Sequence, residues 1–127
     1  MSGSLPESLL CFLQEAEGLK SVERTAWTSS GRRESTAEHS WRLALLAWAL
    51  LDRYPRLDHA KVLALCLVHD LGERDCGDRS ASDLPDPAAK RGEEQACLRR
   101  LAALLPAPKG EELLALWEEY DAAVAED

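Results

Sequence analysis

The chain has 127 residues, 46% hydrophobic and 30% charged, which fits one globular domain with a single core and excludes an intrinsically disordered chain. Aspartate and glutamate outnumber lysine and arginine 23 to 15, and the net charge of -8 argues against a nucleic-acid partner, because a phosphate backbone calls for a basic surface. No apolar run approaches the roughly 20 residues of a membrane span, and MSGSLPESLL lacks the basic start and apolar stretch of a signal peptide, so a cytoplasmic protein with no membrane partner is expected.

Leucine and alanine dominate, valine and isoleucine are scarce, and Phe12 is the single phenylalanine, so the chain reads as all-α. The first helix is expected over about residues 5 to 18, with Gly18 as its stop. A long loop over about residues 20 to 35 follows, carrying Arg24, Trp27, Arg32 and Arg33; loops of this length inside compact domains are often functional. The second helix opens on a capping box, Ser35 with Glu38, and runs from Thr36 to about Arg53. Its apolar residues lie on most sides, which predicts a central, largely buried helix. The third is capped by Asp58 and runs through Val62, Leu65 and Cys66 to about Glu73. After a polar loop broken at Gly77, Asp86 and Pro87 open a fourth helix that ends at Pro106. A fifth begins near Gly110 and turns Leu113, Leu114, Leu116, Trp117, Tyr120 and Val124 inward. The expectation is an orthogonal bundle of about five helices. Cys11, Cys66, Cys76 and Cys97 form no CxxC pair and read as reduced thiols.

Two of the three histidines sit on the helices that read as most buried: His39 one turn into the second, His69 near the end of the third, directly before Asp70. If those helices are antiparallel neighbours, His39, His69 and Asp70 meet, and two imidazoles with a carboxylate suit a divalent transition metal. Glu73 follows His69 by one turn on the same helical face, where a carboxylate can take a proton from an attacking water. Asp78 lies in the loop just beyond, and the arginine-bearing loop before His39, with Arg24 and Arg33, brings guanidinium groups suited to a phosphate. Taken singly, each of these residues is more often a core histidine, a cap or a surface charge. Spacing alone leaves both readings open.

The segments ERTAW (23–27), RRESTAEHSWRLAL (32–45), LVHDLGERDCGD (67–78) and LWEEYDA (116–122) together resemble the HD-domain metal-dependent phosphohydrolases, in particular their 5'-deoxynucleotidase-like branch. The paired AEHSWR and VHDLGE segments, in this order, carry the resemblance. It implies an all-α HD-type domain over residues 1–127 and one divalent ion (Mn, Co, Fe, Zn or Mg), with His39, His69 and Asp70 as ligands. It further implies Glu73 as the water-activating acid, Asp78 as the acid of the GD motif near the substrate, and Arg24 and Trp27 around the phosphate and sugar. The family's fourth ligand, an Asp on a further C-terminal helix, has no counterpart here, so a three-ligand site of weaker affinity is expected. The expected function is a phosphomonoesterase acting on (deoxy)nucleoside 5'-monophosphates, with a small-molecule nucleotide as partner and a homodimer as a possible assembly. The alternative is a catalytically weak or inactive HD-fold binding or oligomerisation module.

Overall fold

The computed structural model describes residues 6–76 and 87–126. Helix α1 (Glu7–Ala16) continues directly into a 3-10 segment, Glu17–Ser21. Gly18 therefore lies inside helical backbone and is not the stop expected of it. Its missing side chain makes room for the Arg74 guanidinium, which an added Cβ would meet.

The expected loop over residues 20 to 35 is instead a β-hairpin. Strands β1 (Glu23–Trp27) and β2 (Arg33–Ser35) pair antiparallel, Glu23 opposite Ser35 and Trp27 opposite Arg33, with an irregularity between. At the turn the Thr28 N–H donates to the Arg32 carbonyl (2.7 Å) and the Gly31 N–H to the Thr28 carbonyl (3.0 Å). Gly31 takes φ 91°, a left-handed conformation that costs glycine little. Exposure alternates along β1, with Arg24 and Ala26 half-buried between exposed neighbours. The residues themselves show no apolar–polar alternation, since the half-buried pair is Arg24 and Ala26 while Trp27 is exposed, so the TSSG turn was the strand signal available in the sequence.

Helix α2 (Thr36–Leu50) begins on the expected capping box: the Glu38 N–H donates to Ser35 Oγ (3.1 Å) and the Ser35 N–H to Glu38 Oε1 (2.8 Å). The helix is not largely buried. Thr36 and Ser40 are its buried residues, while Trp41 and Trp48, each 65% exposed, face outward with Leu45, Leu46 and Leu50. Apolar residues circle the helix, but packing on α3 and the 3-10 segment covers one side of it.

Helix α3 (His59–Val68) is capped as expected, the Asp58 side chain accepting from the Lys61 N–H (3.1 Å). It stops at Val68, short of Glu73. A tight turn follows, in which the Leu71 N–H donates to the Val68 carbonyl and the Glu73 N–H to the Asp70 carbonyl, and it leads into the one-turn α4 (Glu73–Cys76). The turn presses on α5 (Pro87–Ala102), whose first helical residue is Pro87 as expected. Gly77, Asp78 and Asp86 lie outside the described residues. Helix α5 ends at Ala102 rather than Pro106, and α6 (Ala107–Glu126) starts ahead of Gly110, because the break at Pro106 lets Ala107 and Pro108 join the first turn.

The core lies between the end of α1, the turn after α3, α5 and α6: Leu19, Leu71, Cys97, Leu98, Leu101, Ala102, Leu113 and Trp117. Leu114, Leu116 and Tyr120 are half-buried, and the side chain of Val124 is outside the described residues. Among the described residues the result is an all-α bundle of five longer helices, with a one-turn helix and a hairpin added. No helix among the described residues is long and apolar enough to cross a membrane, and Cys11, Cys66 and Cys97 are free.

Candidate metal centre

The start of α2 and the end of α3 lie side by side, and three potential donors meet there. His39 stands in the first turn of α2, His69 caps the C-terminus of α3, and Asp70 follows in the turn. One donor atom from each lies within 4.8 Å of the others. His69 Nε2 is 2.9 Å and His39 Nε2 is 3.8 Å from Asp70 Oδ2. Ligand bonds of about 2 Å set two ligands of one ion roughly 3–4 Å apart, so the group fits a divalent ion after small side-chain adjustments.

The surroundings prepare these donors. The Cys66 carbonyl and the Asp70 carboxylate can only accept, so both His69 nitrogens donate, Nδ1–H to Cys66 at 2.9 Å and Nε2–H to Asp70 Oδ2 at 2.9 Å; a metal ion would take the place of the Nε2 proton. The Tyr120 ring from α6 meets His69 edge-on, centroids 5.1 Å apart. Burial pushes the His69 imidazolium down in pKa, but the hydrogen bond and charge of Asp70 outweigh it and the net shift is up. His39 is lowered, first by burial and then by the Arg24 charge, against the opposing pull of Asp70; it favours the neutral form a metal ligand requires.

Glu73 opens α4 beside this group and is buried, 8% exposed. Because the helix breaks at His69, a turn rather than a continuous helical face carries Glu73 there. Its Oε2 accepts from Thr36 Oγ1 at 3.1 Å, linking α4 to the first residue of α2.

Arg24 reaches the same region from β1. Its Nη1 donates to Glu34 Oε1 at 2.6 Å, and that oxygen is 4.0 Å from His39 Nδ1. Arg24 and Trp27 line, with Glu34 and His39, a cleft of about 400 Å³. Arg33 stacks on Trp27 instead, its guanidinium 5.6 Å from the ring centroid. Asp78 falls outside the described residues. His59 is far from this in role, its Nε2 bonded to the Tyr54 carbonyl (3.1 Å). Sequence reasoning missed Thr36, Glu34 and Tyr120 as site residues. Thr36 was visible only as a helix start, Tyr120 only as an inward residue, and Glu34 carried no signal while the hairpin was read as loop.

Residues 16–127 match the model of the HD domain family. The chain is 38% identical over 123 residues to the human (Homo sapiens) 5'-deoxynucleotidase HDDC2, covering 94% of this chain and 59% of that protein. It is 29% identical to the Schizosaccharomyces pombe 5'-deoxynucleotidase hdd1, covering 97% of this chain and 64% of that one. Its fold is similar to the crystal structure of a predicted metal-dependent phosphohydrolase from Magnetospirillum magnetotacticum MS-1, with TM-score 0.78 and 36% identity over 91% of this chain and 59% of that one. The chain thus spans about three-fifths of the length of these relatives.

Proposed function

The chain belongs to the HD domain family, and on that premise we propose that it is a metal-dependent phosphomonoesterase acting on (deoxy)nucleoside 5'-monophosphates. The observation that carries this reading is the convergence of His39, His69 and Asp70, donor atoms within 4.8 Å of one another, beside a buried carboxylate, Glu73. His39, His69 and Asp70 would hold one divalent ion, drawn from Mn, Co, Fe, Zn and Mg. When bound, that ion would supply positive charge that polarises phosphoryl oxygens and lowers the pKa of water. Glu73 would accept a proton from the attacking water as its oxygen bonds to phosphorus and the bond from phosphorus to the 5'-oxygen breaks, and would return that proton to the departing 5'-oxygen. The Thr36 hydroxyl holds the Glu73 carboxylate in register for this step. Arg24 balances charge on the phosphate, and its bond to Glu34 keeps the guanidinium at the cleft. Trp27 and Arg33 stand at the substrate side, and Asp78 touches the sugar or assists the nucleophile or leaving group. The partner is a small nucleotide and the setting cytoplasmic. For a homodimer, the support is the exposed stripe Trp41, Leu45 and Trp48 on α2, which a second copy would cover.

Phosphate release from each 2'-deoxynucleoside 5'-monophosphate, measured with each of the five metals, tests the reading. His39→Ala is expected to lose bound metal and activity together. Glu73→Gln is expected to keep its metal and lose about 10²-fold or more in turnover. A chain that binds metal but releases no phosphate from any nucleotide is instead the non-catalytic binding module.

A further inference from the structure

Trp27 and Leu46 are large apolar side chains left in the open, 66% and 55% exposed, yet both line the cleft that begins at His39. Strand β1 forms one wall of this cleft and a single face of α2 the other. On α2 the lining residues His39, Leu43 and Leu46 recur at i, i+4 and i+7, so the cleft runs about 10 Å along the helix axis. It is therefore polar at one end, where Arg24 and Glu34 stand with His39, and apolar at the other. Arg33 stacks on the Trp27 indole and steadies it as a wall. Arg42 joins the lining between His39 and Leu46. Among the described residues it has no carboxylate partner, whereas Arg24 is paired to Glu34. A guanidinium offers only donors, so it matches the acceptor edge of a heterocyclic ring.

We propose that Trp27 and Leu46 are the facing walls of a nucleobase subsite, with Arg42 presenting its donors at the rim; Leu46 and Arg42 are then specificity-determining residues. The proposal rests on the phosphomonoesterase reading, because a phosphate held at the His39 end directs the rest of the nucleotide along the cleft. A flat ring with two apolar faces and a polar edge fits this combination better than a sugar does, whose hydroxyls would meet Leu43 and Leu46 without partners.

The experiment compares a 2'-deoxynucleoside 5'-monophosphate with 2-deoxyribose 5-phosphate, which carries the same ester and sugar without the base. With the metal-loaded 127-residue chain, the nucleotide is expected to be preferred about tenfold or more in kcat/KM. Leu46→Ser is expected to remove most of that preference through KM of the nucleotide, Leu46→Met to retain it, and Arg42→Gln to lower it most for bases rich in carbonyl acceptors. Leu46 is exposed, so its replacement leaves the core intact. Equal losses on both substrates, or an unchanged ratio in Leu46→Ser, overturn the proposal. If the wild-type chain hydrolyses neither compound, the phosphomonoesterase reading fails on its own. The subsite is then judged by calorimetric affinities of the same two compounds: a ratio that collapses in Leu46→Ser upholds it, and a ratio of one in the wild type overturns it.

Discussion

Thr36 does two jobs with one side chain position. It is the first residue of α2, fully buried, and its hydroxyl donates to Glu73 Oε2 at 3.1 Å. Thr36→Val keeps the shape and removes the donor, which takes one hydrogen bond from a buried carboxylate. The expected cost is about 1–3 kcal/mol in stability, read from urea unfolding. Because the carboxylate then loses its orientation, turnover is expected to fall about tenfold while metal content stays at the wild-type level. Thr36→Ser, which restores the hydroxyl, is expected to recover most of both. Loss of metal in Thr36→Val would instead make Thr36 a support for the ligands. Glu34 works similarly at the other side of His39, holding Arg24 through one carboxylate oxygen.

Two glycines separate close approach from mere helix weakness at the scale of elements. In the turn between α3 and α4, a Cβ on Gly72 would stand 2.8 Å from Glu94 Cβ and 3.1 Å from Glu94 Cα, and 3.0 Å from Leu98 Cδ2. Backbone and a core leucine cannot yield easily, so Gly72→Ala has to push α5 away from the turn that bears His69 and Asp70. A destabilisation of about 1–3 kcal/mol is expected, with weaker metal binding. Gly92, within α5, has nothing within 4 Å of an added Cβ. Gly92→Ala is therefore expected to stabilise the chain by roughly 0.5–1 kcal/mol, since it gains helix propensity without a clash. Opposite signs of the two shifts in urea midpoint check both statements at once.

Across the whole molecule, α1, α4 and α5 are tied by one charged group: Arg100 donates to Asp75 and to Glu15, and Arg74 Nε donates to the Glu15 carbonyl at 2.7 Å. Partial burial pushes the Asp75 carboxyl up, but its hydrogen bonds, that of Arg100 first, and the nearby arginine charges outweigh this and hold it below the ordinary range. A carboxyl lowered in the folded state stabilises the fold above its unfolded pKa, about 3.9, and that contribution fades as pH falls through and below this value. Asp75→Asn is thus expected to lower the urea midpoint at pH 7 and to differ less from wild type at pH 3. The pair is exposed, so the effect is modest and salt-sensitive. An equal difference at both pH values would assign Asp75 a packing role instead.

The helices, the Ser35 and Glu38 capping box, the Asp58 cap and the candidate ligands His39, His69 and Asp70 were all legible in the order of residues. The helices and their caps rest on contacts within a turn or two of chain, or on a hydrophobic period that any helix must show, whereas the ligands were read from residue types at helix ends and from the paired AEHSWR and VHDLGE segments. The hairpin was not legible, because five residues and three make too short a pattern, and its pairing joins segments across a turn. Nor was the exposure of α2 visible. A helix with leucine and tryptophan all round states that apolar surface exists, but which side is covered depends on where α3 and the 3-10 segment pack. The site divides the same way. Its donors were readable as residue types at helix ends, whereas Glu34, Thr36, Tyr120 and the wall at Leu46 join it only through approach in space, since hydrogen bonds and ring contacts between distant residues have no period in sequence.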